Sequence, residues 1–395
     1  MPNRGELKQA IEASIVDDIE SNARGFLPGG RNRPSKDQIV RNMARSIRID
    51  GLGLEEAYLA LSCFPASPDA VYLSPLDKGL SGSKVFRALY EVSGGHRSRP
   101  YVMKIGPCQK IEAEHDAIRT LVQPFIDGVE EPIFRRGTDQ AIVVQGFAGM
   151  QTRIESLRDF ARRDAAAHSV VSELLTQRLK PWYQNKGERR RRVPLGKLLE
   201  WHLAKRRRGA ILPRHWAELA NWVASSSGHS WASVAPALRN ARSTRIDFFE
   251  SIAHGDLHSQ NILIDERRQC WPIDFYWCRG DSTPLVDCAL LETSLKFLAV
   301  PPAADLRTLL AIDLSFCREP MPNSDVGRIP FRVEIKNVLN CVRSVREFAF
   351  DSLSISFDTY RKALLLMAYA HTTHPQLNQP FLLGSLQMLS GELTQ

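Results

Sequence analysis

The sequence His254-Gly-Asp-Leu-His-Ser-Gln-Asn261 runs directly into the apolar segment Ile262-Leu-Ile264. Asp274 stands thirteen residues after Asn261, inside Ile273-Asp-Phe275. Two short strands around a polar turn would bring Asp256, Asn261 and Asp274 together. Phosphoryl transfer needs such a set, because one Asp must orient the attacking hydroxyl and oxygen ligands must hold magnesium against the phosphates. The pattern predicts Asp256 as the catalytic base and Asn261 and Asp274 as metal ligands.

This loop resembles the aminoglycoside phosphotransferase and choline kinase superfamily, whose catalytic loop reads His-Gly-Asp-x-His-x-x-Asn and whose metal Asp lies in an Ile-Asp-Phe segment. The resemblance implies ATP and Mg²⁺ as cofactors. It also implies an α+β, two-lobed, protein-kinase-like fold, with a small antiparallel sheet lobe, a larger helical lobe and an N-terminal helical appendage. His254 and His258 then have structural roles in the loop. Asp287, in Val286-Asp-Cys-Ala289, would tie the loop to a helix.

The same resemblance implies a nucleotide site in the sheet lobe. Lys104, in the apolar strand Tyr101-Val-Met-Lys-Ile105, would bind phosphate, and a glutamate on the next helix would orient it. Both Glu112 and Glu114 lie at a suitable distance along the chain, and Glu114 is favoured because it neighbours the apolar stripe of that helix. The other nucleotide-binding candidates come from the glycine-rich run 79–86 and from the segment that links the lobes: Gly79, Ser81, Gly82, Ser83, Gln145 and Phe147.

Over the sheet lobe the chain is most similar to the ternary-complex-associated kinase-like domains of bacterial conflict and signalling systems. The run Gly79-Leu-Ser-Gly-Ser-Lys-Val-Phe86 and the strand exit Lys104-Ile-Gly-Pro107 carry this similarity. It extends from about Val71 to the last helices and leaves out residues 1–70. Membership of this branch implies kinase chemistry without naming a substrate.

Periodicity divides the chain into three parts. Residues 1–70 are predicted to be helical, because Leu7, Ile11 and Ile15 recur at every fourth position. This region is either an interaction module for a protein partner or a helical pad that packs on the next domain. The helical pad is the favoured interpretation. Residues 71–148 contain short strand-like runs and one helix, which suits the nucleotide-binding sheet lobe. Residues 149–395 are mostly helical and contain the catalytic loop (254–261) and the metal segment (273–275).

Composition points to a folded cytoplasmic protein. Of the 395 residues, 43% are hydrophobic and 24% charged, which is close to the average globular domain. The seven cysteines form no Cys-x-x-Cys pair, a pattern that suits reduced thiols. Neither a signal peptide nor a run of about 18 apolar residues is present, so no membrane association is expected.

The formal charge of +8 is concentrated in two runs, Lys186 to Arg192 and Lys205 to Arg208. A solvated surface is the favoured interpretation of these runs within residues 186–208, and a nucleic acid, an acidic ligand or an acidic partner is the alternative. The tryptophans interleaved with them, Trp201 among them, are better explained by packing in a core. Where many kinases have a small residue after the metal segment, this chain has Tyr276-Trp277, which would stiffen the loop or line the substrate site.

These patterns together predict an ATP- and Mg²⁺-dependent phosphotransferase that acts on a hydroxyl, most simply that of a small molecule. The alternative is a kinase-like nucleotide-binding signalling or conflict-system module with little or no turnover, whose N-terminal helices recruit a partner. The identity of the phosphoryl acceptor does not follow from the sequence, because specificity resides in loops whose mutual placement cannot be derived.

Overall fold

A computed structural model describes residues 52, 56, 59–60, 62–64, 70–77, 83–92, 96–151, 153–185, 187–204, 216–301, 304–321 and 332–395. These residues form two compact units. The first comprises the described residues up to Gln123 together with 128–152, and the second comprises 124–127 and 153–395. The predicted helices before residue 52, the candidates Gly79, Ser81 and Gly82, and the basic run 205–208 lie outside the described residues.

The first unit is built on an antiparallel sheet with the strand order β1-β2-β4-β6-β5, and β3 pairs with β2. One helix, α1, follows β4 directly and continues into a π-helical turn, Ile118–Val122. The bounds are β1 Ala70–Asp77, β2 Lys84–Val92, β3 His96–Arg97, β4 Tyr101–Pro107, β5 Ile133–Arg136, β6 Gln140–Gly146 and α1 Cys108–Ala117.

The sheet core is apolar because β4 and β6 are central strands whose residues are buried on both faces. Met103 and Ile142 are completely buried there. The chain before β1 joins the same core: Leu59 and Phe64 belong to its hydrophobic cluster, and the Phe64 ring lies 5.0 Å from that of Tyr90. The described end of residues 1–70 is therefore packed on the sheet.

The second unit is mainly helical. Its helices are α2 Leu157–Arg163, α3 Ala167–Glu173, α4 Lys180–Gln184, α5 Leu195–Leu198, α6 Glu200–Ala204, α7 Trp216–Ser227, α8 Val234–Ser243, α9 Pro284–Ser294, α10 Leu306–Arg318, α11 Val333–Glu347, α12 Phe357–His371 and α13 Gln379–Glu392. Its strands are β7 Ile154–Ser156, β8 Arg190–Pro194, β9 Arg245–Phe249, β10 Ser251–Ala253, β11 Ile262–Asp265, β12 Cys270–Pro272 and β13 Arg279–Ser282. The predicted α+β class, with a small antiparallel sheet part and a larger helical part, is confirmed.

Helix α9 is the centre of the helical unit, since every one of its residues is buried. Thr283 caps its N-terminus by accepting from the backbone N–H of Leu285, and Pro284 occupies the first turn, where a missing N–H does no harm. Its one glutamate, Glu292, is paired with the equally buried Arg346 of α11 through two parallel hydrogen bonds of 2.8 and 2.9 Å. A buried charge of this kind is tolerated only because it is paired.

All seven cysteines are free and buried, and burial raises the pKa of the Cys63 thiol to about 12. They behave as small apolar core residues. Within the described part of the chain, no helix combines the length and the apolar character needed to cross a membrane.

Candidate functional site

Three short strands position the loop 254–261 in the helical unit. Strand β10 leads into it, β11 leads out of it, and β11 pairs antiparallel with β12, so that Ile262 lies opposite Pro272. The backbone N–H of Ile273 donates to the carbonyl of Asn261 at 2.9 Å. Because the two strand ends are hydrogen-bonded neighbours, Asn261 and Asp274 emerge from the same edge of this small sheet.

Asp256 lies at the turn of the loop and is half-buried. Its backbone carbonyl accepts two hydrogen bonds of 2.9 Å, one from the amide Nδ2 of Asn261 and one from the backbone N–H of His258. The carbonyl of His258 in turn accepts from the backbone N–H of Asn261 at 2.8 Å. The turn is thus closed on itself, and it presents the Asp256 carboxylate from a fixed backbone.

His254 is fully buried and connects the loop to the metal segment. Its Nε2 lies 3.0 Å from the carbonyl of Ile273 and its Nδ1 lies 3.3 Å from the backbone N–H of Asp256. A carbonyl can only accept, so Nε2 carries the proton and Nδ1 accepts. Burial lowers the pKa of His254 to about 4, although the carboxylates of Asp256 and Asp274 oppose that change. The ring is therefore a neutral bridge between the loop and the metal segment.

Asp287, the fourth residue of α9, holds the other side of the loop. Its Oδ2 and Oδ1 accept from the backbone N–H groups of His254 and Gly255, each at 2.8 Å, and Oδ2 also accepts from the hydroxyl of Tyr183 at 3.1 Å. Burial raises the pKa of Asp287 to about 6, and the three donors oppose the rise. The carboxylate acts as a clamp that fixes the two residues before Asp256.

Asp274 adopts the left-handed conformation, with φ 67° and ψ 66°. This conformation is unfavourable by about 1–2 kcal/mol for a residue with a Cβ, although Asp tolerates it better than most. The next residue, Phe275, is completely buried, and its ring lies 5.1 Å from that of His254 and 6.0 Å from that of Trp182. The packed ring therefore holds the strained aspartate in place at the end of β12.

The donor set at this edge fits a magnesium ion. Nδ2 of Asn261 is used in the bond to Asp256, which leaves the amide oxygen as its ligand atom, and Asp274 offers a carboxylate. Mg²⁺ prefers such oxygen ligands and commonly takes one or two protein groups, with substrate phosphates and water completing its shell. Asn261 and Asp274 are thus suited to the role predicted for them.

In the sheet unit, Lys104 of β4 is paired with Glu114 of α1. The Nζ–Oε2 distance is 2.6 Å, and the two side chains are only 7% and 4% exposed. Glu112, the alternative partner that the sequence left open, contacts the exposed Arg136 instead. In the sheet Lys104 lies between two apolar residues, Val143 of β6 and Val85 of β2. The buried carboxylate of Glu114 orients its ammonium group.

The remaining nucleotide-binding candidates of the sheet unit that fall in described residues are Ser83, Gln145 and Phe147, and all three are buried. Nε2 of Gln145 has no hydrogen-bond partner among the described residues, and an unsatisfied buried donor of this kind suits an acceptor on a ligand. The carbonyl of Phe147 is already engaged, since it accepts from the backbone N–H of Met150 at 3.2 Å. Contact of this segment with an adenine edge stays a prediction.

Two residues that hold the loop were missed by the sequence analysis. Tyr183 supplies the hydroxyl on Asp287, and the buried His202 places Nε2 at 3.0 Å from the carbonyl of Gly255. Trp201, next to His202, stacks on Trp277 with ring centroids 3.8 Å apart and planes 12° apart. A stripe of aromatic residues on a helix resembles ordinary core packing, so no local signal distinguishes these side chains.

Gly255 lets the aromatic pair after the metal segment approach the loop. It has φ +77°, and a Cβ at this position would lie 2.4 Å from the backbone oxygen of Trp277. The backbone and Cβ of Trp277 therefore pack against the loop at the residue before Asp256. This contact favours stiffening of the loop, the first of the two roles considered for Tyr276 and Trp277.

Comparison with known proteins gives one family match and several similar folds. The sequence model of the family described as ternary complex associated domain 9 matches residues 69–207 and 197–373, which is more than half of the chain. No curated protein matches the sequence.

Three of the similar solved structures are a spectinomycin phosphotransferase in complex with ADP and spectinomycin, a type VIII aminoglycoside-3'-phosphotransferase and a choline kinase from Streptococcus pneumoniae. Their identities to the chain are 11, 14 and 12%, and their TM-scores are 0.40, 0.41 and 0.30. The matches cover 80, 75 and 76% of this chain and 88, 93 and 93% of those chains.

Proposed function

The chain belongs to the ternary complex associated domain 9 family, and from the geometry of its loop we propose that it is an ATP- and Mg²⁺-dependent phosphotransferase that phosphorylates a hydroxyl group. The proposal assigns the chemistry at the hydroxyl to the helical unit and the binding of nucleotide phosphates to the sheet unit.

The observation that carries the proposal is the double fixation of the backbone around Asp256. The carboxylate of Asp287 holds the two preceding N–H groups, and Nδ2 of Asn261 holds the carbonyl of Asp256 itself. A purely structural turn needs no half-exposed carboxylate at its apex, whereas a base that must accept a proton from a bound hydroxyl needs a rigid backbone and an accessible side chain. Asp256 fits the second description.

Magnesium, when bound to Asn261 and Asp274, would neutralise charge on the phosphate oxygens. The other contributions come from the chain itself. Asp256 orients the acceptor hydroxyl and takes its proton, and the neutral His254 keeps the loop in register with the metal segment. The His254 bond to Ile273 maintains that register without adding a charge beside the two aspartates.

In the sheet unit, Lys104 is the proposed phosphate-binding group. Its pairing with Glu114 keeps the ammonium in one orientation inside a nearly closed environment, where a charge-assisted contact with phosphate is stronger than at an exposed site. The acceptor is proposed to be a small molecule, in keeping with the resemblance of the loop to small-molecule kinases.

The test compares the full-length protein with its Asp256→Asn variant. The substrates are ATP, Mg²⁺ and a metabolite extract, and phosphorylated products are identified by mass spectrometry. We expect product formation by the wild type and a loss of about 10²- to 10⁴-fold in the variant, because the amide cannot accept the proton. Asp358→Asn is the matched control, since it removes an exposed carboxylate at the start of α12 and should leave turnover unchanged.

The two functions predicted from the sequence are separated by the same experiment. Calorimetry that shows Mg²⁺-dependent ATP binding without any phosphorylated product would favour the kinase-like binding module. Absence of Mg²⁺-dependent nucleotide binding would refute both. A product that forms equally in wild type and Asp256→Asn would exclude Asp256 as the base.

A further inference from the structure

Strands β8 and β9 form a separate two-stranded antiparallel ribbon, which we call the arginine ribbon (residues 190–194 and 245–249). In its register Arg190 lies opposite Phe249 and Arg192 lies opposite Asp247. Residues directly opposite in an antiparallel pair share a face, and successive residues alternate between faces. The ribbon therefore has two faces of different character.

The inner face anchors the ribbon to the helical unit. Ile246 is buried, and Arg191 forms ion pairs with Glu250 at 3.3 Å and with Asp281 of β13 at 3.0 Å. The arginine that points inward is thus already neutralised by carboxylates. These contacts attach the ribbon to the helical unit, and they do not account for the charge on the other face.

The outer face carries three exposed arginines, Arg190, Arg192 and Arg245, against one carboxylate, that of Asp247. Within the described part of the chain, no hydrogen bond or ion pair is formed by the side chains of Arg190 and Arg192. Arg245 donates from Nη2 to the carbonyl of Arg192 at 2.9 Å, which aligns its guanidinium with the ribbon. The face has a net positive charge.

Phe249 lies on the same outer face and is 49% exposed, which makes it one of three exposed large hydrophobic residues in the described part of the chain. An exposed aromatic ring is unfavourable in water. Where arginines surround it, the ring can stack on a base while the arginines contact phosphates. This ring, which the sequence analysis did not single out, is what changes the interpretation of residues 190–192 from a solvated surface to a binding surface.

The spacing of the charges suits a phosphate backbone. Alternate residues on a strand are about 6.5–7 Å apart, so Arg190 and Arg192 present guanidinium groups in a regular row. An acidic polypeptide would satisfy the arginines, but only a nucleic acid supplies a flat base with every phosphate, which matches a row of arginines beside Phe249. We propose that the outer face of the arginine ribbon binds single-stranded nucleic acid, with Arg190, Arg192 and Arg245 on phosphates and Phe249 stacked on a base. This proposal does not depend on the phosphotransferase activity.

The test measures the affinity of the full-length protein for fluorescently labelled oligo-dT and oligo-U of about 20 nucleotides, over about 0.05–0.5 M salt. A triple variant with Gln in place of Arg190, Arg192 and Arg245 should show a smaller salt dependence. The slope of the logarithm of the binding constant against the logarithm of the salt concentration should decrease in magnitude by about 2, because each phosphate contact on a single strand contributes about 0.7. That change corresponds to about 100-fold weaker binding at about 0.1 M salt. Phe249→Ala should weaken binding about 5- to 100-fold with an unchanged slope.

The control variant replaces Arg119, Arg153 and Arg267 by Gln. These arginines are also exposed, and the change in net charge is the same, so binding should match the wild type. Circular dichroism and thermal unfolding establish that each variant is folded. Phe249→Ala provides a second, independent substitution that leaves the charge untouched.

Several results would overturn the proposal. These are no binding of either oligonucleotide at about 0.05 M salt, equal binding by the ribbon triple variant, and an equal loss in the control triple variant. Polyglutamate that binds with the same dependence on the three arginines would identify an acidic polypeptide instead. Vesicles of phosphatidylserine and phosphatidylcholine that bind in this way would identify a membrane surface instead.

Discussion

Replacing Asp287 by Asn should change how the stability of the helical unit depends on pH. In the wild type the pKa of this fully buried carboxyl is raised from its ordinary value of 3.8 to about 6, first by burial, while the N–H groups of His254 and Gly255 oppose the rise. A raised folded-state pKa of an acid means that the charged form is disfavoured by folding. The contribution of the neutral Asp287 carboxyl to the free energy of unfolding is fully present below pH 3.8 and is lost as the pH rises through about 6.

The magnitude follows from the two pKa values. The interval from 3.8 to about 6 corresponds to about 3 kcal/mol in the free energy of unfolding, of which about 2 kcal/mol lies between pH 4 and pH 7. The Asn variant cannot ionise and lacks this decrease. At the same time its amide presents an N–H to a group of donors, so one donor is left unsatisfied at a cost of about 1–3 kcal/mol at every pH.

His254 also titrates in this range, in the opposite sense. Its pKa is lowered from 6.5 to about 4, so its contribution is present above pH 6.5 and is lost as the pH falls through about 4. This contribution is common to both proteins and cancels in the comparison. The stability of Asp287→Asn relative to the wild type should therefore rise by about 2 kcal/mol from pH 4 to pH 7.

The assay is urea unfolding followed by tryptophan fluorescence at several pH values. Trp182, which contacts Phe275 and His254, reports on the helical unit around the loop. Asp358→Asn again serves as the control for the loss of one carboxylate. A stability difference between wild type and Asp287→Asn that stays constant from pH 4 to pH 7 would refute the inference that burial raises the pKa of Asp287 to about 6.

Two further predictions concern packing around the site. Gly255→Ala combines φ +77° with a contact of 2.4 Å to the oxygen of Trp277, whereas Gly228→Ala has φ +75° with no atom within 4 Å. Thermal unfolding should show a loss of about 1–2 kcal/mol for Gly228→Ala and a clearly larger one for Gly255→Ala; equal losses would contradict the contact. Arg346→Met should destabilise by about 3–5 kcal/mol in urea unfolding, because Glu292 loses its bidentate partner. Combining it with Glu292→Gln should restore part of that loss, and a fully additive double variant would argue against the pairing.

Much of the site could be predicted because its parts are local in the chain. Asp256 and Asn261 lie on one loop, Asn261 directly precedes β11 and Asp274 follows β12, so the pairing of these two short strands brings the three residues together. The partner of Lys104 could be narrowed by distance along the chain to Glu112 or Glu114, with Glu114 favoured, but the choice depended on where α1 packs. Glu112 is within reach of Arg136 at the surface, and Glu114 faces the buried side of the sheet.

The arginine ribbon shows the same limit. The basic run at 189–192 is visible in the sequence, yet its pairing with 245–249 joins segments that are more than fifty residues apart. Only that pairing reveals that Arg191 faces inward while its neighbours and Phe249 face outward. Strand register therefore decided which charges are neutralised and which are presented.

The α+β class, which the structure confirms, and the candidate roles of Asp256, Asn261 and Asp274, which stay predictions, could be inferred from residue type and short-range spacing. How the loop is held follows only from the packing of the folded chain. Tyr183 reaches Asp287 across 104 positions and His202 reaches Gly255 across 53, and such contacts arise only when helices pack. Hydrogen bonds to a buried backbone depend on which distant side chain arrives within about 3 Å. Neither helical periodicity nor composition carries that information.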